Sequence, residues 1–408
     1  MTEIYTNVRN YGNQILYIGY DTNGNRVKEK IKYEPHLFVE SDTHELIKFY
    51  NNSTYLRRMD FKELSEAKEF IRSYPGNVYG TSKWTCQFLS EKFPTEISSY
   101  PKLAIDIIDI EVDSSNGFPD PDKAESEVTA ITLKSLKENT FYVWTLIDKF
   151  AGNFDPDNLQ HIKIDAKIVH FPCMSEGDML RHFMDFFHDN SPDILTGWYS
   201  RLFDIPYLIN RTRKILGEKI SKKFSPWGII QEKTRQVKRF NEYQEETTYD
   251  IFGINELDYL DLYKKYSLGQ SESFKLGYIA MKETGETKVE FDGTLDKLLR
   301  SDYQKYVEYN IYDVDLIHKI DNKKRFLDLI VEVSYAAKVP TYNDSLGTVK
   351  YWEILIYNHL CEKAQRPIIK SDREPERSDV YVGAYVKEPI VGKHYWVASF
   401  DLVSLYPT

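Results

Sequence analysis

Five side chains of this sequence have the types and spacings that phosphodiester hydrolysis by metal ions would need. The segment Leu103-Ala-Ile-Asp-Ile-Ile-Asp-Ile-Glu-Val-Asp113 sets acids inside an otherwise apolar strand candidate, where an unpaired buried charge is costly. Strand side chains alternate, so Asp109 and Glu111 share one face and Asp106 takes the other. Two carboxylates on one face repel each other unless a cation lies between them. With oxygen ligands and no His/Cys cluster nearby, a hard cation such as Mg²⁺ or Mn²⁺ is indicated, with Ca²⁺ as a substitute. Asp204 lies in Thr196-Gly-Trp-Tyr-Ser-Arg-Leu-Phe-Asp-Ile-Pro-Tyr207, where a strand gives way to a helix; an Asp before Ile-Pro also reads as a helix N-cap. Tyr309 and Asp313, four apart in a helical segment, share a face. Four acids and a tyrosine suit a two-metal route, in which one ion activates water and the other steadies the leaving oxygen. No covalent nucleophile is required, and the motifs G-x-S-x-G, G-x-x-x-x-G-K-[ST] and H-E-x-x-H are absent.

These residues need elements to hold them. Apolar strand candidates follow one another over Leu103–Val112, Val128–Leu133, Phe141–Leu146 and Lys167–Phe171, the first three close enough for an antiparallel meander. Ser175-Glu-Gly-Asp178 resembles a capping box opening a helix with Leu180, Phe183, Met184 and Phe187 on one side, and Asp193–Thr196 reads as the next strand. The order β-β-β-α-β followed by helices predicts an α/β (α+β) fold in which a mixed sheet is packed by helices, as in a ribonuclease H-like nuclease core. A second capping box at Ser301-Asp-Tyr-Gln304 opens a helix predicted to run toward Tyr335. Another helix spans about Ser345 to Ala364, and Val380–Val386 and Tyr395–Phe400 read as strands. Residues 1 to about 100 form an N-terminal mixed α/β region of short strands (Ile15–Tyr20, His36–Val39), turns such as Asp21–Asn25, and a helix over Glu63–Tyr74.

Composition narrows the class. A chain of 408 residues with 41% hydrophobic content can bury two or three cores. Three scattered cysteines suggest neither a disulfide framework nor a zinc ribbon, and no signal peptide or long apolar span is present, so a cytoplasmic, membrane-free protein is expected. A net charge of −10 argues against holding nucleic acid by bulk electrostatics. Locally, Arg211 to Arg239 gathers ten Lys/Arg against two Glu, which reads equally as a nucleic-acid contact or as a solvated basic face.

Taken in order, the acidic segments resemble the three exonuclease motifs of family B DNA polymerases, most closely the replicative polymerases of T4-like bacteriophages. Asp109-Ile-Glu111 is similar to the first motif, Phe203-Asp204 to the second, and Tyr309-Asn-Ile-Tyr-Asp313 to the third; Asn116–Pro121, Leu257–Lys265 and Gly383–Pro389 add further likeness. The resemblance implies that Asp109, Glu111, Asp204 and Asp313 hold two metal ions, that Tyr309 orients the attacking water, that Phe118 stacks on the terminal base, and that Lys288 lies near the scissile phosphate. Tyr199 stands where the family usually carries Asn, and Phe240–Asn255 departs from what in relatives is a hairpin that helps separate primer from template. Ser399–Thr408 resembles the first polymerase motif, with Asp401 as a metal ligand, Ser404 and Leu405 within it, and Tyr406 discriminating against ribose; the carboxylates that would complete synthesis do not follow. An engineered truncation and a naturally split polymerase would both end this way.

The domains this implies are an N-terminal domain (1–103, completed by about 326–370), a 3′→5′ exonuclease domain (104–325) and the beginning of a polymerase palm (371–408). The implied activity is proofreading removal of 3′-terminal nucleotides from single-stranded or frayed DNA in the bacterial host cytoplasm, with a C-terminal polymerase part and replisome proteins as partners. The alternative is a nucleic-acid-binding half whose main role is to dock a C-terminal polymerase subunit.

Overall fold

Short alternating segments joined by turn residues make the first layer. In the computed structural model the described residues are 3–94, 97, 100–115, 117–147, 154–239, 242–269, 271–371, 387–388 and 390–400, with backbone alone for 237–239 and 242–244. Strands β1 (Ile4–Tyr11), β2 (Gln14–Tyr20) and β3 (Arg26–Lys32) form an antiparallel meander. The β2–β3 turn is the one expected at Asp21, whose Oδ1 accepts from the amides of Asn23 (2.9 Å) and Asn25 (2.8 Å). Strands β4 (His36–Ser41), β5 (Lys48–Phe49) and β6 (Tyr55–Asp60), helix α1 (Leu64–Ser73), strand β7 (Val78–Tyr79) and helix α2 (Trp84–Lys92) follow.

The middle of the chain builds a mixed six-stranded sheet. Strands β8 (Ile105–Val112), β9 (Val128–Ser135) and β10 (Thr140–Leu146) are the expected meander. Strand β11 (Lys167–Cys173) then pairs parallel with β10, so the order is β-β-β-β-α-β rather than β-β-β-α-β; the intervening crossover brings the chain back in the direction of β10. Helix α3 (Glu176–Asp189) starts at the expected cap, with Ser175 Oγ accepting from the Asp178 amide, and buries Leu180, Phe183, Met184 and Phe187. Beyond it lie β12 (Ile194–Thr196), parallel to β8, helices α4 (Asp204–Leu216) and α5 (Glu218–Ser221), strands β13 (Ile230–Arg239) and β14 (Glu242–Ile251), β15 (Asn255–Glu256), parallel to β12, and helix α6 (Tyr259–Tyr266). The sheet order β11-β10-β9-β8-β12-β15 with helices packed on it is consistent with a ribonuclease H-like core. Despite the unusual sequence, β13 and β14 pair in regular antiparallel register, with Lys233 paired to Asp250 and Arg235 to Glu246 across the strands.

The C-terminal helices depart from expectation in three places. Ser301 ends helix α8 (Leu295–Ser301), which follows α7 (Leu276–Thr284); the cap of α9 (Tyr303–Lys324) is Asp302, whose carboxylate accepts from the Lys305 amide at 3.0 Å. The long helix predicted to continue past Tyr309 and Asp313 breaks at Arg325, which takes a left-handed conformation (φ 56°), and restarts as α10 (Phe326–Ala337). Asp321 secures the break by accepting from the Leu327 amide at 3.1 Å. Helix α11 (Thr348–Glu362) is followed by β16 (Gln365–Arg366), which pairs with β5, and β17 (Ile368–Lys370), which pairs with β7. Tyr395–Phe400 forms no strand: its backbone is irregular and its side chains are exposed, with no neighbouring strand among the described residues to pair with it. Val380–Val386, Asp401, Ser404, Leu405 and Tyr406 lie outside the described residues. No helix of the described chain is long and apolar enough to cross a membrane.

Asp193, just before β12, knots the two layers together. Fully buried, it receives Thr6 Oγ1 of β1 (3.3 Å), Tyr20 OH of β2 (2.6 Å) and the Ala104 amide (2.9 Å), and pairs with Arg26 of β3 (3.3 Å). Removing one carboxylate leaves several buried donors without an acceptor. Asp193→Ala is therefore expected to cost about 3 kcal/mol of stability, read as a lower urea midpoint; an unshifted midpoint would refute the knot.

Candidate active site

The site begins at the point where the sheet opens. Strand β8 is paired on one side by β9 along its length, but on the other side β12 reaches only from Ile105 to Ile107. The Ile110 amide is thus left without a strand partner, and Asp204 takes it, its Oδ1 accepting at 3.0 Å. The chain can make this approach because residue 197 is glycine: a Cβ there would lie 2.6 Å from the Ile108 carbonyl oxygen and 2.7 Å from Ser200 Cβ. Asp204 is the first residue of α4, not its N-cap, which is Phe203. Its carboxylate reaches the backbone of β8 as well as the first amide of its own helix.

Helix α9 closes the other side. Tyr306 OH meets Thr129 Oγ1 (2.6 Å), which donates to the Glu111 carbonyl (3.0 Å); Lys134 of β9 pairs with Asp315 at 2.8 Å. This registry turns Tyr309 and Asp313 toward β8. Carboxylate oxygens of Asp109, Glu111 and Asp313 all lie within 4.8 Å of one another, and Asp204 stands beside them as the strongest charge acting on Asp109. Asp106 faces away, as the alternation predicts, and burial pushes its carboxyl up to about 8.

Lys288 comes from the irregular segment between α7 and α8. Its Nζ donates to Tyr309 OH (2.8 Å) and lies in close contact with Asp313 Oδ2. Phe291 from the same segment packs edge-on against the Tyr309 ring at 5.5 Å. Phe118 is 87% exposed, with its ring 5.6 Å from that of Phe203, the neighbour of Asp204.

The electrostatics leave positive charge wanting. Burial, then Asp313, raises Glu111 to about 8; burial, partly offset by the Ile110 amide, raises Asp204 to about 7. Burial and the charges of Asp204, Glu111 and Asp313 hold Asp109 well above the usual carboxylate range, and Asp313 is raised by burial against the pull of Lys288. For Lys288 burial works the other way, yet Asp313 and Tyr309 override it and keep the ammonium charged. Four acids share this one ammonium, and Asp313 Oδ1 is buried with no hydrogen-bond partner. An all-oxygen donor set with surplus negative charge and an orphaned ligand atom fits a hard divalent cation.

Several contributors had no role assigned from sequence. Asn310 donates to Asp109, and Thr132 bonds to Asn310. Asp258 accepts from the amides of Tyr199 (3.0 Å) and Arg201 (3.2 Å) while capping α6 through the Leu260 amide, so it braces the loop that delivers Asp204. An Asp before the apolar run Tyr259-Leu260 was readable as a cap; its grip on residues 199 and 201 was not. Tyr199 itself is left-handed (φ 67°) and partly exposed. The basic run from Arg211 is largely spent internally. Arg211 forms a buried fork with Glu176, and Arg213, Lys222, Lys223, Lys233 and Arg235 pair with Glu218, Glu218, Asp185, Asp250 and Glu246.

Residues 78–279 match the family model described as DNA polymerase family B, exonuclease domain, a span containing Asp109, Glu111 and Asp204. Across its whole length the chain is 32% identical, over 427 aligned residues, to the DNA-directed DNA polymerase of Escherichia phage RB69, and 31% identical, over 426, to that of Enterobacteria phage T4. It is also similar to the DNA polymerase delta catalytic subunit of Candida albicans, 28% identical over 252 residues that take in 58% of this chain and 23% of that protein. The chain spans about half the length of its phage relatives, 46% of each. On the matched domain and the whole-length kinship together, this chain belongs to DNA polymerase family B and carries that family's exonuclease domain.

Proposed function

We propose that the chain removes nucleotides from DNA 3′ ends, a 3′→5′ exodeoxyribonuclease of the proofreading kind that hydrolyses the terminal phosphodiester of single-stranded or frayed DNA. The observation that carries this reading is the convergence of partly buried Asp109 with buried Glu111 and Asp313, with Asp204 tied to the same strand. These four would hold two divalent ions, Mg²⁺ in the first instance. When bound, such ions lower the pKa of water and offset the charge growing on the leaving oxygen. Water oxygen attacks phosphorus, the bond to O3′ breaks, and a nucleoside 5′-monophosphate leaves a chain with a new 3′-hydroxyl.

The chain's own residues prepare that step. Lys288 Nζ donates to the Tyr309 oxygen, which holds the phenol beside Asp313, where it would orient the attacking water or a phosphate oxygen. The Lys288 ammonium supplies positive charge beside Asp313 where the phosphate would lie. Phe118, exposed beside Phe203, offers a face for the terminal base without regard to its identity. In this reading residues 104–325 are the exonuclease domain, 1–103 with about 326–370 the N-terminal domain, and 371–408 the start of a palm. Pairing of β16 with β5 and of β17 with β7 supports joining 365–370 to the N-terminal domain.

A second reading, docking of a C-terminal polymerase part, is favoured by the exposed Ile390, Val391, Tyr395, Trp396, Val397 and Phe400 and by relatives of twice the length. Adding a candidate C-terminal polypeptide should then produce primer extension that neither part shows alone; no gain on mixing counts against it.

Two further outcomes test the main reading. Asp109→Ala or Asp204→Ala should lower degradation of a 3′-labelled oligonucleotide in Mg²⁺ about a thousandfold, the equivalent of about 4 kcal/mol of transition-state stabilisation, with circular dichroism unchanged. Undiminished degradation by both variants would remove the assignment. The raised carboxyls also set a pH dependence. Glu111 and Asp204, near 8 and 7 when folded and ordinary when unfolded, favour the folded state fully at low pH, and that contribution is lost as pH rises from about 4 through about 8. Cations bound to the ionised acids offset the loss. The rise in melting temperature on adding Mg²⁺ should therefore be larger at about pH 8.5 than at about pH 5, and an equal rise at both would contradict the centre.

A further inference from the structure

We infer that Asn310 and Thr132 are positioning residues that fix how Asp109 presents its carboxylate, holding Oδ2 within the protein and leaving Oδ1 for a cation. The inference rests on the metal-centre reading above. Asp109 and Thr132 are direct cross-strand partners in the β8–β9 ladder, and Asn310 reaches between them from α9. Its Nδ2 donates to Asp109 Oδ2 at 2.7 Å, and Thr132 Oγ1 donates to its Oδ1 at 2.5 Å. Asn310 and Thr132 are both fully buried, so the bond between them is shielded from solvent, and the bond to Asp109 is partly so.

The polarity of this triangle follows from the charge it serves. An ionised carboxylate can only accept, so the amide must turn its NH₂ toward Asp109 and its oxygen toward a donor. Thr132 supplies that donor. Flipping the amide would set two acceptors face to face. A neutral amide suits the position where charged groups would not: a lysine would compete with the cation, and an aspartate would add a fifth acid to the cluster. Asn310 sits one residue after Tyr309 and three before Asp313, so the helix that brings the tyrosine and the last acid also locks the first. Partners of this kind around metal ligands are worth on the order of tenfold to a hundredfold in metal affinity.

The test is calorimetric titration of Mn²⁺ into the full chain, wild type and variants, with folding checked by circular dichroism. Asn310→Ala and Thr132→Val should each weaken Mn²⁺ binding about tenfold or more, whereas Thr132→Ser, which keeps the hydroxyl, should bind as the wild type does. A folded Asn310→Ala with wild-type affinity would overturn the inference. If Asn310→Ala fails to fold, the pair at 132 decides: equal affinities for Thr132→Val and Thr132→Ser would overturn it as well. Asp109→Ala serves as the separate control, since unchanged Mn²⁺ binding there would sink the metal centre itself rather than the relay.

Discussion

Crowding of like charge is the constraint around which this fold is arranged. Strand β8 lies inside the sheet, flanked by β9 and β12, and carries Asp109 and Glu111 toward Asp204 and Asp313, with Lys288 the one cation among the described residues to balance them. Carboxylates in so dry a place repel one another strongly and give up their protons reluctantly. A chain gains nothing in stability from such a cluster, and would shed it by moving any of the three elements that carry the acids apart. The surrounding structure is therefore built to prevent that movement.

The four acids arrive on three elements, Asp109 and Glu111 on β8, Asp204 at the start of α4 and Asp313 on α9, and each is fastened to its neighbours. Asp204 arrives on a loop braced by Asp258 and is fastened to the backbone of β8. Asp313 arrives on α9, which is stitched to β9 through Thr129, Thr132 and Lys134. Lys288 comes on an irregular segment that Glu286, two residues earlier, links to Tyr312 and Lys319 of the same helix. Most of these ties lie outside the cluster; two reach into it, through Asp204 Oδ1 on the Ile110 amide and through Asn310 on Asp109 Oδ2. Rigidity is supplied mainly from outside, which lets the cluster keep ligand atoms such as Asp313 Oδ1 without protein partners.

Local signals in the sequence were read well where local physics decides. The alternation in β8 separated Asp106 from Asp109 and Glu111, the Ser175 cap started α3, and the Asp21 turn formed as its side chain dictates. Errors arose where a distant contact overrode a local pattern. Ser301 looked like a cap, but α8 claims it and Asp302 serves. For Asp204 a cap and a site residue both stood open, and the unpaired Ile110 amide, created by the short β12, takes its carboxylate. The break at Arg325 has no proline or glycine to announce it, and the basic run at Arg211 could not reveal partners such as Glu176 and Asp185 that come from another helix. The triangle of Asp109, Thr132 and Asn310 was invisible because its members are 23 and 178 positions apart along the chain, and only the ladder register and the helix docking unite them.

Gly197 shows how narrow the tolerance of this arrangement is. The space beside the Ile108 carbonyl oxygen is too small for even one methyl group, so the strand and the loop touch with nothing but hydrogen atoms between them. Alanine, the mildest change available, would wedge the Asp204 loop away from β8 at its root while leaving every acid in place chemically. The smallest side chain in the repertoire is thus already too large for residue 197, and the distance between the strand and the loop is set by the absence of a single carbon atom.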